Sequence, residues 1–307
     1  MGGVLSGFAV IGTVVGIGYL LGRWSVLGPH GRDVLSALTF NVASPALLFQ
    51  LMSASDLGVM LSTPLLALVI STLVCAAVYA TVGAVRRWGV GRTTIGALLA
   101  SYVNSGNLGI PIAVYVLGDA TLVAPVMLFQ LVVYTPIALT VIDAAQSGAR
   151  RTSIWKLLST PLRNPVVIGA FAGVVVSATG VPLWHPLADA VELIAAMSVP
   201  AMLLAYGISL RGAEAPGRGG NRGPLWLAVG LKTAVQPTVA WLIGSLVFDF
   251  DARTLLGVVV LAALPAAQNI FTYAWRYDTS LTLARDGILL TTTLAPIALT
   301  AVAALLG

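Results

Sequence analysis

Ten stretches of the chain are apolar enough to read as membrane spans, at roughly residues 4–22, 34–52, 63–85, 94–117, 122–142, 165–181, 186–210, 225–248, 254–275 and 281–306. Most approach the roughly 20 residues that carry a helix across a bilayer. The sixth is short and relies on Asn164 as N-cap with Pro165 at the first helical position. Polar residues inside these stretches are few, which makes the exceptions informative. The densest cluster is ASYVNSGNLGIPIAVYVL in span four, which carries Asn104, Ser105, Gly106, Asn107, Gly109 and Pro111. Pro111 has no N–H and its ring collides with the carbonyl four residues back, and the glycines lower the cost of unwinding. The pattern predicts a broken helix. Peptide groups freed in hydrocarbon cost several kcal/mol each, so such a break requires surrounding protein or a wet cavity. Backbone dipoles flanked by two asparagines then form a binding site without a formal charge.

Composition agrees with the spans. Hydrophobic residues are 58% of 307 positions and charged residues 9%, against about 25% charged in a soluble domain. The reading is an all-α polytopic membrane protein. The N-terminus has no basic segment ahead of its apolar run and reads as a retained first span. Cys75 is the single cysteine, so there is no internal disulfide; His30 and His185 fall in loops, and no catalytic or metal constellation is visible. Of 16 Lys and Arg, all but Lys232 and Arg253 lie in odd-numbered connections. By the positive-inside rule those connections are cytoplasmic and both termini lie outside. The pI near 9.7 is thus explained by orientation in the bilayer, and nucleic acid is not an expected partner.

The halves echo each other at a spacing of about 160 residues. YTPIALT (134–140) matches LAPIALT (294–300), SPAL (44–47) matches SVPAML (198–203), and Pro64-Leu65-Leu66 matches Pro224-Leu225-Trp226. Five spans is an odd number, so the second half enters from the opposite side and the repeats are inverted. The halves are residues 1–145 and 161–307, joined by a cytoplasmic connection at 146–160. The partner of broken span four is then span nine, which carries Pro265, Gln268 and Asn269 in LPAAQNIFTYA. Two interrupted spans in corresponding positions point to a transporter's midplane site, made here of Asn104, Ser105, Asn107, Pro111, Pro265, Gln268 and Asn269.

Pro45, Pro136, Pro200 and Pro296 read as kinks or packing devices. Asn41 and Gln130 serve either helix contact or the lining of a pathway. Lys232, about eight residues into span eight, is placed to snorkel toward the interface, or else to pair with substrate or join proton coupling. Every Asp and Glu lies near a span end or in a loop, which argues against an acidic proton or sodium relay and leaves the coupling ion open.

Several of these segments, FNVASPALLF (40–49), SGNLGIPIAVY (105–115), RNPVVIGAFAG (163–173), SVPAMLLAYGISL (198–210) and LPAAQNIFTYAWRY (264–277), resemble bacterial members of the auxin efflux carrier family. These permeases are distantly similar to plant PIN carriers and, in fold, to bile acid:sodium symporters. The resemblance covers essentially the whole chain, and implies ten helices in a five-plus-five inverted repeat. Spans one, two, six and seven would be a scaffold, and the other six a moving domain in which broken helices four and nine cross. Transport would follow an elevator-like cycle. The implied substrates are small organic anions, including dicarboxylates such as malate or malonate. Residues 145–160 are short where plant members carry a long hydrophilic loop.

Together these readings describe a secondary transporter of the bacterial cytoplasmic membrane, working without a cofactor on a small organic anion, with a homodimer as a candidate assembly. The alternatives are a sodium- or proton-coupled symporter of bile-acid type and, more distantly, an intramembrane enzyme or a channel.

Overall fold

A computed structural model describes residues 2–54, 62–109, 112–113, 123–146, 165–180, 183–211, 216–217 and 222–306. Pro111, the side chain of Asn107 and nearly all of the 146–160 connection lie outside the described residues. The described regular structure is helical except for one isolated bridge. In order it comprises α1 (Gly2–Arg23), α2 (Gly31–Ser53), α3 (Thr63–Val85), α4 (Val90–Ser101), α5 (Pro125–Gln146), α6 (Pro165–Thr179), α7 (His185–Ser209), α8 (Arg222–Leu246), α9 (Ala252–Ala262), α10 (Asn269–Arg276) and α11 (Leu281–Leu306). Among the described residues, α2, α3, α5, α7, α8 and α11 are long and apolar enough to cross a membrane. The protein is a multi-pass membrane protein. The fourth apolar stretch stops being α-helical at Ser101, and the ninth is divided into α9 and α10.

Three long helices contain a widened π turn, at Thr39–Ala43 in α2, Phe129–Tyr134 in α5 and Leu231–Val235 in α8. Each lies one residue ahead of a proline: Pro45, Pro136 and Pro237. A proline cannot donate to the carbonyl four residues back and its ring presses on it. That carbonyl falls inside the widened turn in all three cases, so the turn relieves the clash. In α7 the irregularity is at Met197, just ahead of Pro200, whereas α11 takes up Pro296 within a continuous helix.

Lipid offers no hydrophobic drive for helix association, so close backbone approach matters more than in water. α6 packs along α2 through Gly169 and Gly173, and α1 along α7 through Gly18 and Gly207. A Cβ on Gly169 would run into the backbone of Pro45, and one on Gly173 would stand 2.5 Å from the Phe49 carbonyl oxygen. On the other pair, a Cβ at Gly18 would stand 2.5 Å from the Leu204 carbonyl oxygen. α2 and α7 also touch through the hydroxyls of Ser44 and Ser198, 3.0 Å apart. A second group forms around α8, with α3 against α4 and α8, α9 against α8 and α11, and α5 against α4.

Candidate functional site

The site begins where α4 and α9 stop. Tyr102 is extended (φ −82°, ψ 111°), and Val103 pairs with Ala266 as an antiparallel bridge. The Asn104 N–H donates to the Pro265 carbonyl at 2.9 Å, and the Ala267 N–H to the Tyr102 carbonyl at 3.3 Å. Each break therefore supplies the hydrogen-bond partners the other lost on leaving its helix, as hydrocarbon requires. Pro265 needs only its carbonyl here, so its missing N–H leaves nothing unpaired.

The central pair of an antiparallel bridge of this kind turns its own polar groups outward, and neighbouring helices meet them. The Gln130 amide, oriented so that both its atoms are satisfied, accepts from the Val103 N–H at 3.0 Å and donates to the Val103 carbonyl at 3.0 Å. The Ser105 hydroxyl is 3.2 Å from the same amide. On the opposite strand, the Ala266 N–H donates to Thr291 Oγ1 at 3.2 Å. The π turn of α5 spaces Gln130, Tyr134 and Thr135 along the break: Tyr134 Oη is 2.6 Å from Ser101 Oγ, and Thr135 Oγ1 donates to Tyr102 Oη at 3.2 Å. Tyr102 also stacks on Tyr134, with ring centroids 5.9 Å apart.

Side chains from the two breaks meet directly. Asn104 Nδ2 donates to Gln268 Oε1 at 2.7 Å, and Asn269 Nδ2 donates to Tyr273 Oη at 3.0 Å and Tyr102 Oη at 3.3 Å. Asn269 Oδ1 is buried without a hydrogen-bond partner. These groups border a cavity of about 100 Å³. That is room for a few waters or a compact ligand. Ser44 and Leu48 of α2, Met127 of α5 and Ser198 and Met202 of α7 also line it, and every described lining residue is uncharged.

The cavity brings together Asn104, Ser105, Gln268, Asn269 and Gln130, all singled out in the sequence. Pro265 supports the backbone pairing and does not line the cavity. Asn107 contributes backbone to the π turn Ser105–Gly109; its side chain, like Pro111, lies outside the described residues. Asn41 is elsewhere, exposed on α2 with its amide donating to Ala37 O at 2.9 Å. The snorkelling expectation for Lys232 is overturned. Its side chain is 0% exposed, and Nζ donates to Gln236 Oε1 at 2.7 Å and to Ala262 O at 2.9 Å. The reason is that α9 ends beside α8, and its terminal carbonyl offers a nearer acceptor than the interface.

Gln236 was not anticipated. It is fully buried and donates from Nε2 to Ser101 O at 2.9 Å and to Thr72 Oγ1 at 3.2 Å. Its position four residues after Lys232, on the same helix face, was the available signal. Ser44 and Ser198 sit inside the repeated SPAL and SVPAML segments, a signal equally available. Tyr102 and Tyr273 carried none, because tyrosines in apolar spans are common packing residues.

Residues 6–302 match the family described as membrane transport protein. A protein of Rhizobium meliloti (strain 1021), named "Putative malonate transporter", is 25% identical over 289 residues, covering 91% of this chain and 88% of that protein. A chain helical in its described regular structure, with six helices long and apolar enough to span and two interrupted apolar stretches paired at Val103 and Ala266, fits that assignment. The chain belongs to the membrane transport protein family, the auxin efflux carrier permeases.

Proposed function

We propose that the protein is a secondary transporter that moves a small carboxylate, malonate or a similar dicarboxylate, across the bacterial cytoplasmic membrane. The observation that carries this reading is the pairing of Val103 with Ala266 beside a small, uncharged cavity lined in part by amides and hydroxyls. Amide and hydroxyl groups orient an anion there, and the N-terminal end of α10 adds partial positive charge. A site without a fixed ion pair also lets the anion leave. The name of the Rhizobium relative supports a malonate-like substrate.

The same reading takes the chain as two inverted five-span repeats, 1–145 and 161–307, with spans four and nine crossing as broken helices. Three contacts support it. Ser44 meets Ser198, Val103 meets Ala266, and Thr72 meets Gln236, each pair about 160 residues apart, as for residues near a two-fold axis. The glycine-mediated packing of α1, α2, α6 and α7 supports a scaffold, against which the α8-centred group would slide in an elevator cycle. In this reading the arginine-rich connections face the cytoplasm and both termini face out.

The test is uptake of radiolabelled malonate into proteoliposomes, with a thermal-shift screen of mono- and dicarboxylates on the same protein. Uptake above protein-free liposomes, and an Asn104→Ala loss of about tenfold (1.4 kcal/mol) at unchanged protein content, is the expected result. Absence of both uptake and thermal shift for every carboxylate ends the substrate assignment.

A further inference from the structure

The C-terminal ends of both interrupted helices converge on one side of α8. Ser101 O, at the end of α4, accepts from Gln236 Nε2, and Ala262 O, at the end of α9, accepts from Lys232 Nζ. Lys232 and Gln236 are themselves joined at 2.7 Å. A helix C-terminus carries the equivalent of about half a negative charge. Two such ends meeting at membrane depth are unfavourable unless a positive group stands between them. Lys232 supplies that group, directly at Ala262 O and through the Gln236 amide at Ser101 O.

Three observations point the same way. The ammonium is fully buried and held on two sides by oxygen acceptors. Among the described residues the ion pairs are Arg32–Asp33 and Arg285–Asp286, so Lys232 is matched to helix ends and an amide and not to a carboxylate. Lys232 does not line the cavity. Two oxygens, Ala262 O and Gln236 Oε1, face Nζ directly, and Ser101 O and Thr72 Oγ1 stand behind them on the Gln236 amide nitrogen, so removal of the lysine leaves oxygen acceptors without a cation.

We propose that Lys232 is a tethered cation that neutralises the paired ends of α4 and α9, so that the carrier folds its crossing and completes its cycle without binding a free sodium ion. This deepens the carrier reading above and rests on it for the flux measurement alone. Lys232 acts through the helix ends, as a positioning residue.

The experiment compares wild type with Lys232→Ala, purified and reconstituted, in choline, sodium and n-propylammonium media. Melting temperature is the first readout, because it stands whether or not malonate is the substrate. Wild type melts at the same temperature in all three media. Lys232→Ala melts lower in choline and regains at least half of the loss in sodium or propylammonium, which restore a positive charge to the truncated site. Malonate uptake follows the same order, sodium-independent in wild type and cation-dependent in Lys232→Ala. Lys232→Arg retains cation-independent melting. Wild-type melting or flux that requires sodium overturns the proposal, as does a folded Lys232→Ala protein indifferent to both cations. Should Lys232→Ala not fold, the wild-type sodium comparison and Lys232→Gln, which keeps an N–H donor on a shorter stem without the charge, decide it by the same criteria. Wild-type protein that carries no carboxylate but shows the expected melting pattern refutes the substrate and leaves the tethered cation standing.

Discussion

Asn104 and Gln268, 164 positions apart in the chain, hold each other through a 2.7 Å hydrogen bond from Nδ2 to Oε1. Both are nearly inaccessible, at 4% and 2% exposure. Their bond fastens one helix break to the other across the wall of the cavity. Removing one partner breaks this link and turns part of the other's amide toward the cavity, at about 0.5–1.5 kcal/mol. Asn104→Ala and Gln268→Ala each lower the melting temperature and the uptake rate, and the double substitution costs less than the sum. A double-mutant cycle in detergent measures this, with a coupling of about 0.5–3 kcal/mol as the expected result. Strict additivity would show that the contact does not join the two breaks.

Gln130 satisfies both backbone groups of Val103. Gln130→Leu keeps the size and loses both bonds, so two buried peptide groups go unpaired at about 1–3 kcal/mol each. The expected outcome is a larger loss of melting temperature than for Asn104→Ala, together with loss of transport. Gln130→Glu retains the acceptor for the Val103 N–H and is expected to fall between Gln130→Leu and wild type.

Close packing of α2 on α6 and of α1 on α7 depends on the absence of a side chain at Gly169 and Gly207, where a Cβ would meet backbone of Pro45 and Val15. Backbone cannot rotate away as a flexible side chain does. Gly169→Val and Gly207→Leu are each expected to destabilise by at least about 1–3 kcal/mol, seen as reduced folded yield and a lower melting temperature. Gly12 has open space around it, so Gly12→Ala serves as the neutral control.

Trp275 Nε1 donates to Asp33 Oδ1 at 2.9 Å, and the Arg276 guanidinium lies over the Phe40 ring at 5.6 Å. These contacts join α10 to α2, so an elevator cycle has to break them. With Cys75 changed to Ser, a short bis-methanethiosulfonate that bridges Asp33→Cys and Trp275→Cys through two disulfides is expected to stop transport, and a reductant to restore it. Unimpaired transport in fully cross-linked protein would rule out relative motion of these two helices.

The pattern of apolar, proline and glycine residues by itself determined that this chain lies in a membrane, where its six long apolar helices fall within a few residues, and which two further apolar stretches are interrupted. Those properties depend on transfer of local segments out of water and on proline and glycine backbone chemistry, which neighbours in sequence already specify. Gln268 and Asn104 were legible for the same reason, as amides clustered with other polar residues inside apolar spans. Where the first helix ends was not legible. The glycine and proline residues of 106–111 mark the region, yet the helix stops at Ser101 because Tyr102 and Asn104 find backbone partners at Ala267 and Pro265 and Val103 finds them on the Gln130 amide. The fate of Lys232 was likewise undecided in sequence. A lysine eight residues into a span reaches either the interface or a buried acceptor, and only the tertiary fold, by ending α9 at Ala262 beside α8, brought that acceptor within 2.9 Å. Long-range pairing decides such cases, because a hydrogen-bond partner has to be present in space before a polar group can remain in hydrocarbon.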